Sequence, residues 1–208
     1  MKIYIAGVYH FDPFGRTYLQ KWLKELDVQH NTRPDFIAVE WDKDIFSKIK
    51  NQRGEFYKLA HKEWPNASND MLNVLKDSLG YEGDSHVNIF PDIEVLWLDG
   101  GRKGDHTDII SINSYATVRL NKYRGLLGLN TPLELSILNK KVLEGVNSNS
   151  SLSDERDTKF SELILKKVQG KDGWAIVIVG ANHARNETGR MRRILEDNKL
   201  ICEVTILR

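Results

Sequence analysis

Two short runs, Phe36–Glu40 (FIAVE) and Trp174–Val179 (WAIVIV), constrain the fold more than any other feature of the chain. Both are apolar at consecutive positions rather than alternate ones. A strand of that kind must be covered on both faces, the situation of a parallel sheet clothed by helices. Three further runs, Lys2–Val8 (KIYIAGV), Glu94–Asp99 (EVLWLD) and Ile201–Leu207 (ICEVTIL), are β-branched and bounded by turn residues. The direction of the last is open.

Helical periodicity fills the intervals. Arg16–Leu26 sets Leu19, Leu23 and Leu26 on one face, with Trp22 beside them, and predicts the first crossover helix. Asp42–Ile49 follows the second strand. Ser68–Leu79 carries Met71, Leu72, Leu75 and Leu79 at helical spacing, with Ser68 or Asn69 as a cap and Gly80 as a stop. Asp105–Tyr123 and Pro132–Leu143 repeat the pattern; Asp154–Val168, capped by Ser153, and Thr188–Asn198 close the series. The polar stretch Gly145–Ser153 is too short to separate two cores and reads as a surface loop. The expectation is an α/β fold over residues 1–208 as one domain: a doubly wound, largely parallel sheet of about five strands, with helices on both faces and an extra helical layer.

Charge and cysteine usage narrow the partners. Thirty basic residues stand against 29 acidic ones, a net charge of +1, so no global field draws the chain to nucleic acid or to an anionic membrane. Cys202 is the only cysteine, which rules out an intrachain disulfide; its apolar neighbours predict an inert buried thiol. The apolar start is interrupted at His10 and Asp12, too early for a signal peptide, and no run approaches a membrane span. A cytoplasmic location is the corresponding expectation.

In an open parallel sheet, ligands bind beyond the C-terminal strand ends. The strand exits here deliver Gly7-Val8-Tyr9-His10, then Glu40, then Asp99, then Gly180-Ala181-Asn182-His183. One G-x-x-H is a weak signal; two of them, both at strand exits, are far more specific. Each precedes a polar turn that closes on a glycine, Gly15 or Gly189. Arg156 lies one turn before Phe160, on the inward side of its helix and near that helix's start. An arginine there is costly unless it meets carboxylates or a ligand, and Glu40, Asp99 and Asp157 are the available acids. The bland reading of each residue is structural: histidines that tie loops to the sheet, an Arg156 ion pair, a turn-forming Asp99, and Asp105-His106 as a helix cap.

Taken together, the GVYH start, the FIAVE glutamate, the LD at Asp99, the ERD at Glu155–Asp157 and the IVGANH near the end resemble the TraB/PrgY/Tiki family. That family is related to the ChaN-like proteins and the erythromycin esterases. The resemblance runs from Ile3 to about Leu195, with the motifs in order. It implies an α/β fold and a hydrolase site at His10, Glu40, Arg156 and His183. The chain departs from the pattern after Asp99, where Gly100-Gly101-Arg102 stands in place of the arginine many members carry next.

Two mechanisms suit these residues. In one, His10, His183 and Glu40 hold a divalent ion (zinc, manganese or cobalt), a second carboxylate acts as base and Arg156 stabilises an oxyanion. In the other, His10 is a general base on water, Glu40 orients it, and Arg156 binds an anionic part of the substrate. Asp99, Asp157 and Asn182 are expected to meet the substrate, a peptide, an ester or another small molecule, with no nucleotide cofactor. A non-catalytic pocket for a small anionic or peptide ligand, and a metal-free esterase or phosphoesterase, are the competing readings.

Overall fold

Strand β1 (Lys2–Val8) is buried along almost its whole length, and the chain returns twice to pair with it. The computed structural model describes residues 1–99, 150–185 and 189–207. After β1 come α1 (Gly15–Gln29), β2 (Ile37–Val39), α2 (Lys43–Glu63), α3 (Asn69–Asp77), a 3-10 turn at Tyr81–Gly83 and β3 (Val95–Trp97). Then follow α4 (Ser150–Val168), β4 (Trp174–Gly180), the single turn α5 (Ala181–Ala184), α6 (Met191–Asp197) and β5 (Ile201–Ile206).

All five strands read from the sequence are present, in the order β3-β2-β4-β1-β5, and every pairing is parallel. The last strand, whose direction the sequence left open, runs parallel to β1. From β1 the chain crosses to β2 and β3, returns to insert β4 between β2 and β1, and ends by adding β5 on the far side of β1. The connections leaving β1 and β4 therefore depart in opposite directions from adjacent strands. The C-terminal ends of such a pair are the topological switch point, where open parallel sheets generally bind their ligands.

Continuous burial in β1 and β4 follows from two cores, one on each sheet face. Tyr4, Ala6, Val8, Ile176 and Ile178 pack with Leu19, Trp22, Leu23 and Leu26 of α1, joined by Tyr81 and Phe90. On the opposite face Ile3, Ile5, Ala175, Val177 and Val179 meet Phe160 and Ile164 of α4, Ala184 of α5, and Met191 and Leu195 of α6. A third cluster joins α2 and α3 through Ile49, Phe56, Ala60, Leu72 and Leu75, with Phe11 and Trp64. This is the extra helical layer on its described side.

Two boundaries differ from expectation. Helix α2 runs on from Ile49 to Glu63, through Gly54. The buried positions Phe46, Ile49, Phe56 and Ala60 continue one apolar stripe, and that burial outweighs the ~1 kcal/mol penalty of an exposed glycine in a helix. Helix α4 opens at Ser150, inside the stretch expected to be a loop. The expected helices Asp105–Tyr123 and Pro132–Leu143 lie outside the described residues, as does the start of Thr188–Asn198. No described helix is long and apolar enough to cross a membrane. Cys202 is half-buried, and burial, assisted by the charge of Glu196, pushes its thiol up to about 12, in keeping with an inert group.

Candidate functional site

Val8 at the end of β1 lies opposite Gly180 of β4, so the two G-x-x-H turns leave the sheet side by side. Each glycine makes room for the other turn. A Cβ on Gly180 would lie 2.8 Å from His10 Nε2 and 3.1 Å from Glu40 Oε2. A Cβ on Gly7 would stand 2.8 Å from Ala184 Cβ and 3.3 Å from Ala181 Cα, the backbone that carries His183. The turn after His10 is also strained: buried Phe11 adopts φ of 60°, a left-handed conformation uncommon for a bulky residue.

Glu40, one residue past β2, is the centre of the site and is 6% exposed. Its Oε1 accepts from Arg156 Nη2 at 2.7 Å and faces His183 Nε2 at 3.4 Å. Its Oε2 accepts the Gly180 backbone N–H and faces His10 Nε2 at 3.3 Å. Arg156 reaches this point from the first half of α4, the placement expected for a crossover helix feeding β4. Its Nη2 also donates to Asp99 Oδ2 at 2.9 Å.

Both imidazoles are held from behind in the same way. His10 Nδ1 donates to Glu82 Oε1 at 2.7 Å, and His183 Nδ1 donates to Asp157 Oδ1. Glu82 is 1% exposed and Asp157 0% exposed, and the second oxygen of each is also engaged: Glu82 Oε2 by Trp41 Nε1 at 3.2 Å, and Asp157 Oδ2 by the Arg190 N–H. Buried carboxylates on Nδ1 fix the ring orientation and aim both Nε2 atoms at Glu40.

Three expected residues, His10, Arg156 and His183, thus converge on a fourth, Glu40, with Asp99 on the same guanidinium. Asp157 is placed differently from the expectation: fully buried with both oxygens committed, it positions His183 rather than meeting a substrate. Asn182 is exposed on α5, beside the site. Asp99 Oδ1 and Arg156 Nε are buried and have no hydrogen-bond partner among the described residues. The sequence reading missed Glu82 and Trp41. An acid between two turn glycines, in Gly80-Tyr81-Glu82-Gly83, was the available signal, but a 3-10 turn has no periodicity to show which way it points.

Opposed charges set the protonation states. Burial alone would lower the pKa of His10, but the charges of Glu40 and Glu82 outweigh it and raise it well above the usual imidazole value. Burial is likewise overcome at His183, which Glu40 and the hydrogen bond to Asp157 push up to about 9, against a smaller opposing effect of Arg156. Burial would raise Glu40, yet His10, Arg156 and His183 hold it well below the ordinary carboxylate range. Both surroundings therefore favour the protonated imidazole, most clearly at His183.

That arrangement bears on the expected metal. Carboxylate-backed imidazoles are typical of metal-binding histidines. Here the Arg156 guanidinium already engages Glu40 Oε1, so a metal bound to that oxygen would compete with it. Among the described residues no group of three His, Cys, Asp or Glu side chains stands as a metal site. No family model, curated protein or solved structure matches the chain.

Proposed function

We propose that this chain is a hydrolase that cleaves an ester or peptide-type bond by acid–base chemistry between two histidines. The observation that carries the reading is the convergence of two carboxylate-backed Nε2 atoms on opposite oxygens of one buried glutamate. A structural pair of histidines needs no such preparation. The motif resemblance to the TraB/PrgY/Tiki family supports the same class of reaction.

His10, with 24% of its side chain exposed, is the better placed to meet water; His183, at 7%, sits deeper. The neutral fraction of His10, which grows as pH rises through its raised pKa, takes a proton from water at Nε2, while Glu82 keeps Nδ1 protonated and the ring in place. Water oxygen bonds to the scissile carbonyl carbon, and the carbonyl electrons move to oxygen. The cationic pair Arg156 and His183 provides positive charge for that oxyanion. The oxyanion electrons then re-form the carbonyl as the carbon–heteroatom bond breaks, His183 gives its Nε2 proton to the leaving group, and solvent returns the proton gained by His10 to His183. Glu40 stays ionised and keeps both imidazoles and the guanidinium facing inward.

The test is turnover of 4-nitrophenyl acetate and a peptide p-nitroanilide panel by wild type and by His10→Gln and His183→Gln, with metal content measured by mass spectrometry on protein purified without a histidine tag. Turnover lost in both variants, with no stoichiometric metal, supports the proposal. Equal turnover in all three proteins sinks it. Metal bound stoichiometrically and lost in both variants replaces it with the metal-dependent mechanism on His10, His183 and Glu40.

A further inference from the structure

Arg156 lies at the reacting centre with two carboxylates, Glu40 and Asp99, on its guanidinium, so a standing anionic group of a substrate calls for a second cation. The other described arginines are committed as well. Arg16 and Arg53 share Asp84; Arg33 meets Asp27; Arg190 meets Asp154; Arg192 and Arg193 meet Glu196 and Asp197. Arg185 differs from all of them. Its Nη2 donates to the Tyr9 hydroxyl, its guanidinium carbon stands 5.9 Å from the Tyr9 ring centroid, and it meets no carboxylate among the described residues.

Its position is specific. Arg185 is half-buried at the end of α5, two residues after His183, and Tyr9 immediately precedes His10. The pair bridges the two G-x-x-H loops at the switch point. A guanidinium held in place by a tyrosine, with donors left over and no counter-ion among the described residues, suits a planar or tetrahedral oxyanion, because its fork matches carboxylate and phosphate geometry.

We propose that Arg185, braced by Tyr9, anchors an anionic group of the substrate, a carboxylate or a phosphate, beside the hydrolytic histidines. The assignment rests on the hydrolase reading for the word substrate, but binding itself can be measured without turnover. A site so charged selects esters or amides that carry an acidic tail and disfavours neutral analogues.

The experiment is isothermal titration of the whole protein with inorganic phosphate and, separately, with succinate, at constant ionic strength. Wild type is compared with Arg185→Gln, Arg185→Lys and Arg193→Gln; the last removes an equal charge from the exposed ion pair of Arg193 with Asp197 on α6. The expected result is saturable binding of at least one anion, weakened about tenfold or more in Arg185→Gln, partly restored in Arg185→Lys and unchanged in Arg193→Gln. Tighter phosphate points to a phosphate-bearing substrate, tighter succinate to a carboxylate-bearing one. No binding to wild type, or equal weakening in Arg193→Gln, overturns the proposal. His10→Gln separates the two readings: anion binding kept without ester turnover in any protein leaves the anchor standing and removes the hydrolase.

Discussion

Gly180 and His10 share a space that one methyl group would fill. With no side chain at residue 180, the His10 imidazole comes down onto the end of β4, and the same residue's N–H is free to hold Glu40. The second G-x-x-H glycine thus serves the first motif's histidine.

Gly180→Ala should therefore injure the site more than the fold. The added Cβ would meet Nε2 of His10 at 2.8 Å, and relief requires the ring to move off Glu40. A stability loss of about 1–3 kcal/mol, typical of overpacking, is expected in urea unfolding. The His10 ring resonances should shift in NMR. An unshifted His10 spectrum would mean that the ring does not sit where described.

Glu40→Gln removes the charge that balances two imidazoliums and a guanidinium. Breaking a buried ion pair from one side costs about 3–5 kcal/mol, read in chemical denaturation. The pKa of His183 should fall from about 9 towards the ordinary imidazole range, because Glu40 is the main influence raising it. Histidine titration by NMR checks the second outcome directly.

Stability should depend on alkaline pH with a definite sign. The pKa of His183 is about 9 in the fold against 6.5 for an unperturbed imidazole, the value it regains on unfolding. Its contribution is complete below about pH 6.5 and fades as pH rises through about 9. Glu40, lowered in the fold, acts oppositely: its contribution is present above its unfolded value and lost in acid. Unfolding free energies from pH 6 to 10 should decline in wild type and decline less in His183→Gln.

Asp157→Asn and Glu82→Gln test the histidines through their supports. Each keeps volume but removes a carboxylate from an Nδ1 atom. Hydrolysis should fall by about 10²–10⁴-fold, the range for disabling acid–base catalysis. In Asp157→Asn the pKa of His183 should drop while that of His10 holds; unchanged hydrolysis alongside that drop would make the pairing merely structural.

Much of this was written locally. Consecutive apolar residues in FIAVE and WAIVIV require cover on both faces, which leads to helices on two sides and a parallel sheet. Short-range spacing likewise exposed the paired G-x-x-H turns, Glu40 and the inward Arg156, because each stands at a strand exit or on an apolar helical face. Where the pattern was interrupted the reading failed. Gly54 concealed the continuation of α2, whose stability comes from burial of Phe56 and Ala60 rather than from local propensity. Glu82 lay in a short turn with no period to orient it.

What only the tertiary structure decided was which charges meet. The order β3-β2-β4-β1-β5 places β4 against both β1 and β2, so His10, Glu40 and His183 converge although Glu40 is separated from Gly180 by 140 residues. Sequence determined the identity of the acids and bases. Their pairing depends on distance through space, and with it depend the raised pKa values of the histidines, the contacts of Arg156 with Glu40 and Asp99, and the placement of Arg185 on Tyr9.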